Sequence, residues 1–246
     1  MTLLTLGLVY AVFFLAAFLK GITGLGFSTI SLPLLSSFLD LQVGIPLVLI
    51  PSLSSNLLVM VQAGHFWPVC RRFWPLYVSA LPGLVLGVQV LRSTPGDLSR
   101  GVLGSVLCLY ALWALWSKPL VLSKRAAAWL AVPVGFTTGV INGLTGSQVM
   151  PVLPFLLALP LSKDAFVQAI NVSFTLSSLV MLAVLGRVGL LTPGLAAVAA
   201  LGILPVALGI ALGGRLRRRL PEAHFRKAVL LFLLLIGLTL VGRLVR

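Results

Sequence analysis

Acidic side chains are almost missing from this chain: 246 residues carry four, Asp40, Asp97, Asp164 and Glu222. Histidine and cysteine are as scarce, at two each. An enzyme site needs general acids and bases, metal ligands or an activated nucleophile gathered in a pocket. Here the acids and both histidines, His65 and His224, fall in expected loops or at segment ends, so catalysis and a bound metal are disfavoured. So are cation transport and carboxylate-based proton coupling, which place ionisable groups inside the membrane. Cys70 and Cys108 are too few and too far apart for a disulfide framework or a metal site, and read as small apolar filler. Charged residues of either sign make up 9% of the chain, against about 25% in a soluble domain that must face water.

What remains is apolar and basic. Hydrophobic residues make up 59%, and 18 Lys and Arg give a formal net charge of +14. A nucleic-acid binder shows its basic residues on a solvated face, which this composition cannot supply. The excess fits the loops of a polytopic membrane protein. No Lys or Arg precedes Lys20, so the charged start of a signal peptide is missing, and the first apolar stretch is expected to stay in the mature protein. Trp67, Trp74, Trp113, Trp116 and Trp129 read as anchors at the membrane interfaces.

Breaking the chain at charges and at Pro/Gly clusters leaves apolar segments at 2–20, 26–39, 43–64, 73–91, 100–117, 127–141, 146–160, 165–186, 194–214 and 225–242. A crossing helix needs about 20 residues. Six segments reach that length alone. The other four form two hairpins, 2–39 and 127–160, each joined by a glycine-rich break: Gly21-Ile22-Thr23-Gly24-Leu25-Gly26 and Asn142-Gly143-Leu144-Thr145-Gly146.

The hairpins hold matching places in two halves, 1–118 and 125–246. Gly21 and Pro33 match Gly139 and Pro151; Ser52, Leu58, Val59 and Met60 match Ser173, Leu179, Val180 and Met181; Pro82 matches Pro205; and Pro95/Arg100 matches Pro221/Arg226. The offset rises from 118 to 126 along the chain, as in a diverged duplication. A hairpin that enters and leaves on one side adds no net crossing, so each half crosses an odd number of times and the second half is inverted. Inversion puts five basic residues on one side, Arg92, Arg100, Arg187, Arg243 and Arg246, and twelve on the other, including Arg71, Arg72, Lys118 and the Arg215–Arg219 cluster. A model with each hairpin as one crossing divides the charges eight against nine. The positive-inside rule favours inversion, with both termini outside. The expected fold is an all-α integral membrane protein of two inverted repeats, each a Gly-broken helical hairpin followed by three transmembrane helices.

Polar groups at depth gather at the breaks. Lys20, Gly21, Thr23, Gly24, Gly26, Ser28 and Thr29 surround the first, and Asn142, Gly143, Thr145, Gly146, Ser147 and Gln148 the second. The next crossings add Ser52, Ser54 and Asn56, then Gln168, Asn171, Ser173 and Thr175. A helix restarting after a glycine break presents free N–H groups and the positive end of its dipole. Two such starts beside hydroxyls and amides suit a small anion. The candidate substrate-binding residues are those named around the breaks, with Asn56, Asn171 and Ser173. Small residues also permit close helix packing, the preferred reading for Gly83, Gly87, Gly135, Gly139 and Gly143, the last of which also stays among the break residues. Lys20 is either a functional charge within the membrane or a side chain that snorkels to an interface. Asp164, two residues after Ser162, reads as part of a helix start.

Gly21-x-x-Gly24-x-Gly26-x(6)-Pro33-x-Leu35, with its counterpart Gly139-x(3)-Gly143-x-x-Gly146-x(4)-Pro151-x-Leu153, resembles the glycine-rich signature of the sulfite exporter TauE/SafE family. Where that family often has consecutive glycines, this chain has Phe27-Ser28-Thr29 and Ser147-Gln148. The resemblance covers nearly the whole chain and implies transport of small sulfur-containing anions, such as sulfite or organosulfonates, across a bacterial inner membrane. The expected partners are that anionic substrate and the lipid bilayer, with no cofactor and no nucleic acid; a homo-oligomer is compatible with the architecture. The alternatives are a non-transporting membrane scaffold or chaperone subunit and, weakest, an intramembrane enzyme acting on lipid.

Overall fold

The computed structural model describes residues 2–23, 26–116, 121–217 and 222–242, and every regular element among them is an α-helix. In chain order these are α1 (Leu3–Thr23), α2 (Phe27–Ser36), α3 (Leu41–Ala63), α4 (Phe66–Ser93), α5 (Gly96–Trp116), α6 (Lys124–Thr145), α7 (Val152–Leu157), α8 (Lys163–Arg187), α9 (Pro193–Leu201), α10 (Ile203–Arg217) and α11 (Glu222–Gly242). Among the described residues, seven stretches are long and apolar enough to cross a membrane. Large apolar side chains such as Leu57, Val78, Leu109, Leu204, Leu208 and Leu235 stand exposed on the outside of the bundle. The protein is an integral membrane protein, and this surface faces lipid. Trp67, Trp74, Trp116 and Trp129 are exposed as well.

Local chemistry sets several boundaries. Ser123, Ser162 and Thr192 each accept a backbone N–H three residues on, from Ala126, Ala165 and Leu195, and so cap α6, α8 and α9. Asp164 sits in the first turn behind the Ser162 cap. Between α9 and α10 the helix breaks at Gly202. Pro205 has no N–H for the Leu201 carbonyl and crowds it, and Gly202 lies against the Phe13 ring, where a Cβ would come within 2.6 Å of Cε2.

The hairpins differ from the expected pairs of short segments. α1 and α6 have 21 and 22 residues, long enough to cross alone, whereas α2 and α7 have 10 and 6. Residues assigned to the breaks, Gly21 and Asn142 through Thr145, are the last turns of α1 and α6. The reason is packing. Lipid-embedded helices gain no hydrophobic energy from meeting each other, so close backbone approach through small residues holds them together. A Cβ on Gly135, Gly139 or Gly143 of α6 would strike the carbonyls of Leu76, Ala80 and Leu84 of α4. Gly83 and Gly87 of α4 meet the carbonyls of Phe136 and Val140 in return. Glycine at these positions lets the helices touch, and it does not end them.

The contact of α1 with α10 repeats this design. Gly209 and Gly213 meet the carbonyls of Phe14 and Phe18, and Gly21 meets that of Ile210. Phe14, Phe18 and Gly21 lie 122 positions before Phe136, Val140 and Gly143, and Gly83 and Gly87 lie 126 before Gly209 and Gly213. In its packing Gly21 is therefore the counterpart of Gly143, not of Gly139 as the 118 offset has it. In both contacts residue numbers rise together, so the paired helices run parallel. α3 and α8 run antiparallel, with Met60 and Gly64 beside Gln168 and Met60 beside Thr175. So do α5 and α11, where Gly104 meets Leu240 and Cys108 meets Leu234.

Candidate functional site

Lys20 sits in the last turn of α1 with 5% of its surface exposed. Its Nζ donates to Ser55 Oγ at 2.8 Å and to Asn56 Oδ1 at 3.0 Å. The ammonium thus turns into the protein, against α3, rather than toward an interface. Ser52, Ser55 and Asn56 are spaced i, i+3, i+4, so they share one helix face. By holding Asn56 Oδ1, Lys20 leaves the Nδ2 of that amide as a buried donor with no partner among the described residues.

α2 starts beside them. Gly26 takes the left-handed conformation (φ 79°) and provides no side-chain cap. The first-turn N–H groups of Phe27, Ser28 and Thr29 have no helical acceptor, and Ser28 Oγ donates to Ser52 Oγ at 2.8 Å. The second half closes the space with Gln148, whose Nε2 donates to Ser178 Oγ at 3.3 Å, and with Ile170, Asn171 and Phe174 of α8. Lys20, Ser52 and Asn56, the start of α2 from Gly26 to Thr29, and these four residues of the second half line one narrow cavity, with Ser55 and Ser178 behind as hydrogen-bond partners.

The electrostatics favour an anion. One ammonium, the N-terminal end of α2 and the Asn56 amide all present positive charge or donors, and among the described residues no carboxylate lines the cavity.

Of the residues expected to form the site, Lys20, Gly26, Ser28, Thr29, Asn56, Gln148 and Asn171 line this cavity. Asn171 Nδ2 is tied to the Val167 carbonyl at 2.8 Å. Gly21 and Gly143 are packing residues. Thr145 Oγ1 donates to the Ile141 carbonyl and accepts the Ser147 N–H, and Gly146 makes the left-handed turn after α6 (φ 71°). Asn142, Ser147 and Ser173 are buried but do not line the cavity. Thr23 ends α1, and Gly24 lies outside the described residues, as do Lys118, Arg218, Arg219, Arg243 and Arg246.

The expectation of two helix starts at the site is corrected. α7 begins four residues after Gln148, and its first turn has few donors to offer. Leu153 N–H is already bonded to the Val149 carbonyl at 2.9 Å, and Pro154 has none. Among the described residues, only α2 brings a helix start to the cavity. Sequence reasoning left out Ser52 and Ser55 as site residues; their i, i+3, i+4 spacing with Asn56 was the signal that pointed to them.

Residues 9–240 match the profile of the sulfite exporter TauE/SafE family. Neither a curated protein nor a solved structure matches the chain. With nearly its whole length matched, the chain belongs to the TauE/SafE family, a family of membrane transporters of sulfur anions.

Proposed function

We propose that this TauE/SafE protein carries a small sulfur oxyanion, sulfite or a simple organosulfonate, across the membrane, and binds it between Lys20 and the first turn of α2. The observation that carries the reading is the Lys20 ammonium, buried beside the first turn of α2, which has no side-chain cap, in a cavity lined from both halves. A sulfite or sulfonate head has three oxygens in a compact pyramid. The Phe27–Thr29 amides, Asn56 Nδ2 and Lys20 are donors of the right number and charge for it. Arrival of the anion offsets the cost of holding an ammonium out of water.

Transport then follows by alternating access, with each half rocking about the cavity. The cavity is narrow in this conformation, so an anion enters or leaves only when the halves move apart. Two inverted repeats supply that motion. Helix directions support the inversion: α3 and α8 run antiparallel, as do α5 and α11, whereas one crossing per hairpin would make both pairs parallel. The depth of Lys20 agrees. It lies 17 residues past the start of α1, and Asn56 lies 15 past the start of α3. At about 1.5 Å per residue both are roughly 25 Å in, so for them to meet the two helices must start on the same side. Both termini then lie outside and the Arg215–Arg219 cluster in the cytoplasm. Single cysteines at His65 and Arg217 should label from the same side; labelling from opposite sides, as one crossing per hairpin requires, rules inversion out.

Proteoliposomes test the transport. Purified protein should move sulfite or a simple sulfonate down its gradient, and Lys20→Met should stop it. No flux from the wild type, with or without ion gradients, would overturn the reading and favour a scaffold role.

A further inference from the structure

The ends of α1 and α6 are counterparts, but only one carries a charge. Lys20 is the basic residue of the last turn of α1; the last turn of α6 has none. The residue 122 positions after Lys20 is Asn142, 1% exposed, with neither Oδ1 nor Nδ2 partnered among the described residues. Ser147, two residues past the end of α6, is equally buried, and its Oγ is also unpartnered. The chain turns left-handed at Gly146, and the Ser147 N–H bonds to Thr145 Oγ1 rather than to a carbonyl. Helix geometry therefore leaves the Gly143, Leu144 and Thr145 carbonyls without intrahelical donors, at the negative end of the dipole.

Buried polar atoms normally find partners, and orphans ask for a reason. At the end of α1 the negative dipole end is met by a tethered ammonium. At the end of α6 the same place holds no charge and offers several acceptors: Asn142 Oδ1, Ser147 Oγ and backbone carbonyls. We propose that the C-terminal end of α6 binds a monovalent alkali cation, sodium, through Asn142, Ser147 and the helix-end carbonyls. Hard cations prefer oxygen ligands, and unwound carbonyls at helix ends hold sodium in other transporters. A neutral ligand set decides the valence. Without a carboxylate, burying two positive charges costs far more than burying one. The scarcity of acids, which argued against a cation, excludes only sites built on carboxylates. As a coupling ion for the anion, sodium rests on the transport reading above; its binding does not.

Purified full-length protein in nanodiscs is melted in sodium chloride and in choline chloride at equal ionic strength. Sodium should raise the Tm saturably. Asn142→Ala and Ser147→Ala should each weaken the apparent sodium affinity by roughly tenfold or more. Asn142→Asp, nearly the same size, should tighten it, which guards against an alanine variant that merely folds badly. Lys20→Met should keep the sodium shift while losing anion flux. No sodium-specific shift in the wild type, or one unchanged in all three site variants, overturns the proposal. Sulfite flux without any sodium effect sinks the cation site and leaves the transport reading standing. A sodium shift without anion flux does the reverse.

Discussion

The two helix breaks are packed alike and lined differently. Both end a full-length helix against a glycine-lined neighbour, α1 on α10 and α6 on α4. The first is followed by α2, a 10-residue helix whose first turn lines the cavity. The second runs on through Gln148 to α7, a 6-residue helix with Pro151 as its cap and Pro154 in its first turn. One break carries Lys20 and the other Asn142. Similar packing thus recurs at both breaks, while single residues decide which of them carries a charge.

Exchanging the charged group should have the largest effect. Lys20→Met leaves Ser55 and Asn56 in place but removes the buried cation. Anion flux in proteoliposomes should fall at least about 100-fold, the scale of losing a charge-assisted contact worth roughly 3 kcal/mol or more. Asn142→Met should leave much more flux at saturating sodium; equal losses would erase the distinction between the breaks.

The packing glycines come next. A Cβ at Gly143 would strike the Leu84 carbonyl, whereas one at Gly21 comes no nearer than 2.7 Å to that of Ile210. Gly143→Ala should cost about 2–3 kcal/mol and Gly21→Ala about 1–2 kcal/mol. Thermal unfolding in detergent gives the order, and a reversed order would contradict the packing comparison.

The turn glycines should separate more gently. Both Gly26 and Gly146 have positive φ, so alanine costs each about 1 kcal/mol in backbone strain. At Gly146 the new methyl also lies 2.7 Å from Leu32 and 2.9 Å from Ile45; at Gly26 its nearest neighbour is Thr29 at 3.2 Å. Gly146→Ala should therefore melt lower.

The smallest contrast lies at the starts of α3 and α8. Ser162 caps α8 through its side chain, so Ser162→Ala should cost about 1 kcal/mol. Asp40 makes no such cap bond and instead pairs with Arg100 at 2.7 Å in an exposed setting, so Asp40→Asn should cost less.

Much of this was legible before any coordinates. Charge scarcity and segment lengths gave a helical membrane protein, and glycine clusters located both breaks to within a few residues. Lys20 stood out as the one charge inside an apolar run. What stayed hidden depends on neighbours far along the chain. Whether Gly21 and Gly143 end a helix or let another approach depends on α10 and α4, which local pattern cannot reveal. Ser55 looked like any membrane serine until Lys20 was seen to reach it. The idle start of α7 was readable, since Pro154 removes a first-turn donor, but that requires knowing where the helix begins.

Direct binding tests the central claim best. Sulfite and a short alkylsulfonate are titrated calorimetrically into purified wild type and Lys20→Met, with acetate as a carboxylate control. The account predicts saturable binding of a sulfur oxyanion to the wild type, preferred over acetate, and none to the variant. Equal binding by both proteins would contradict it.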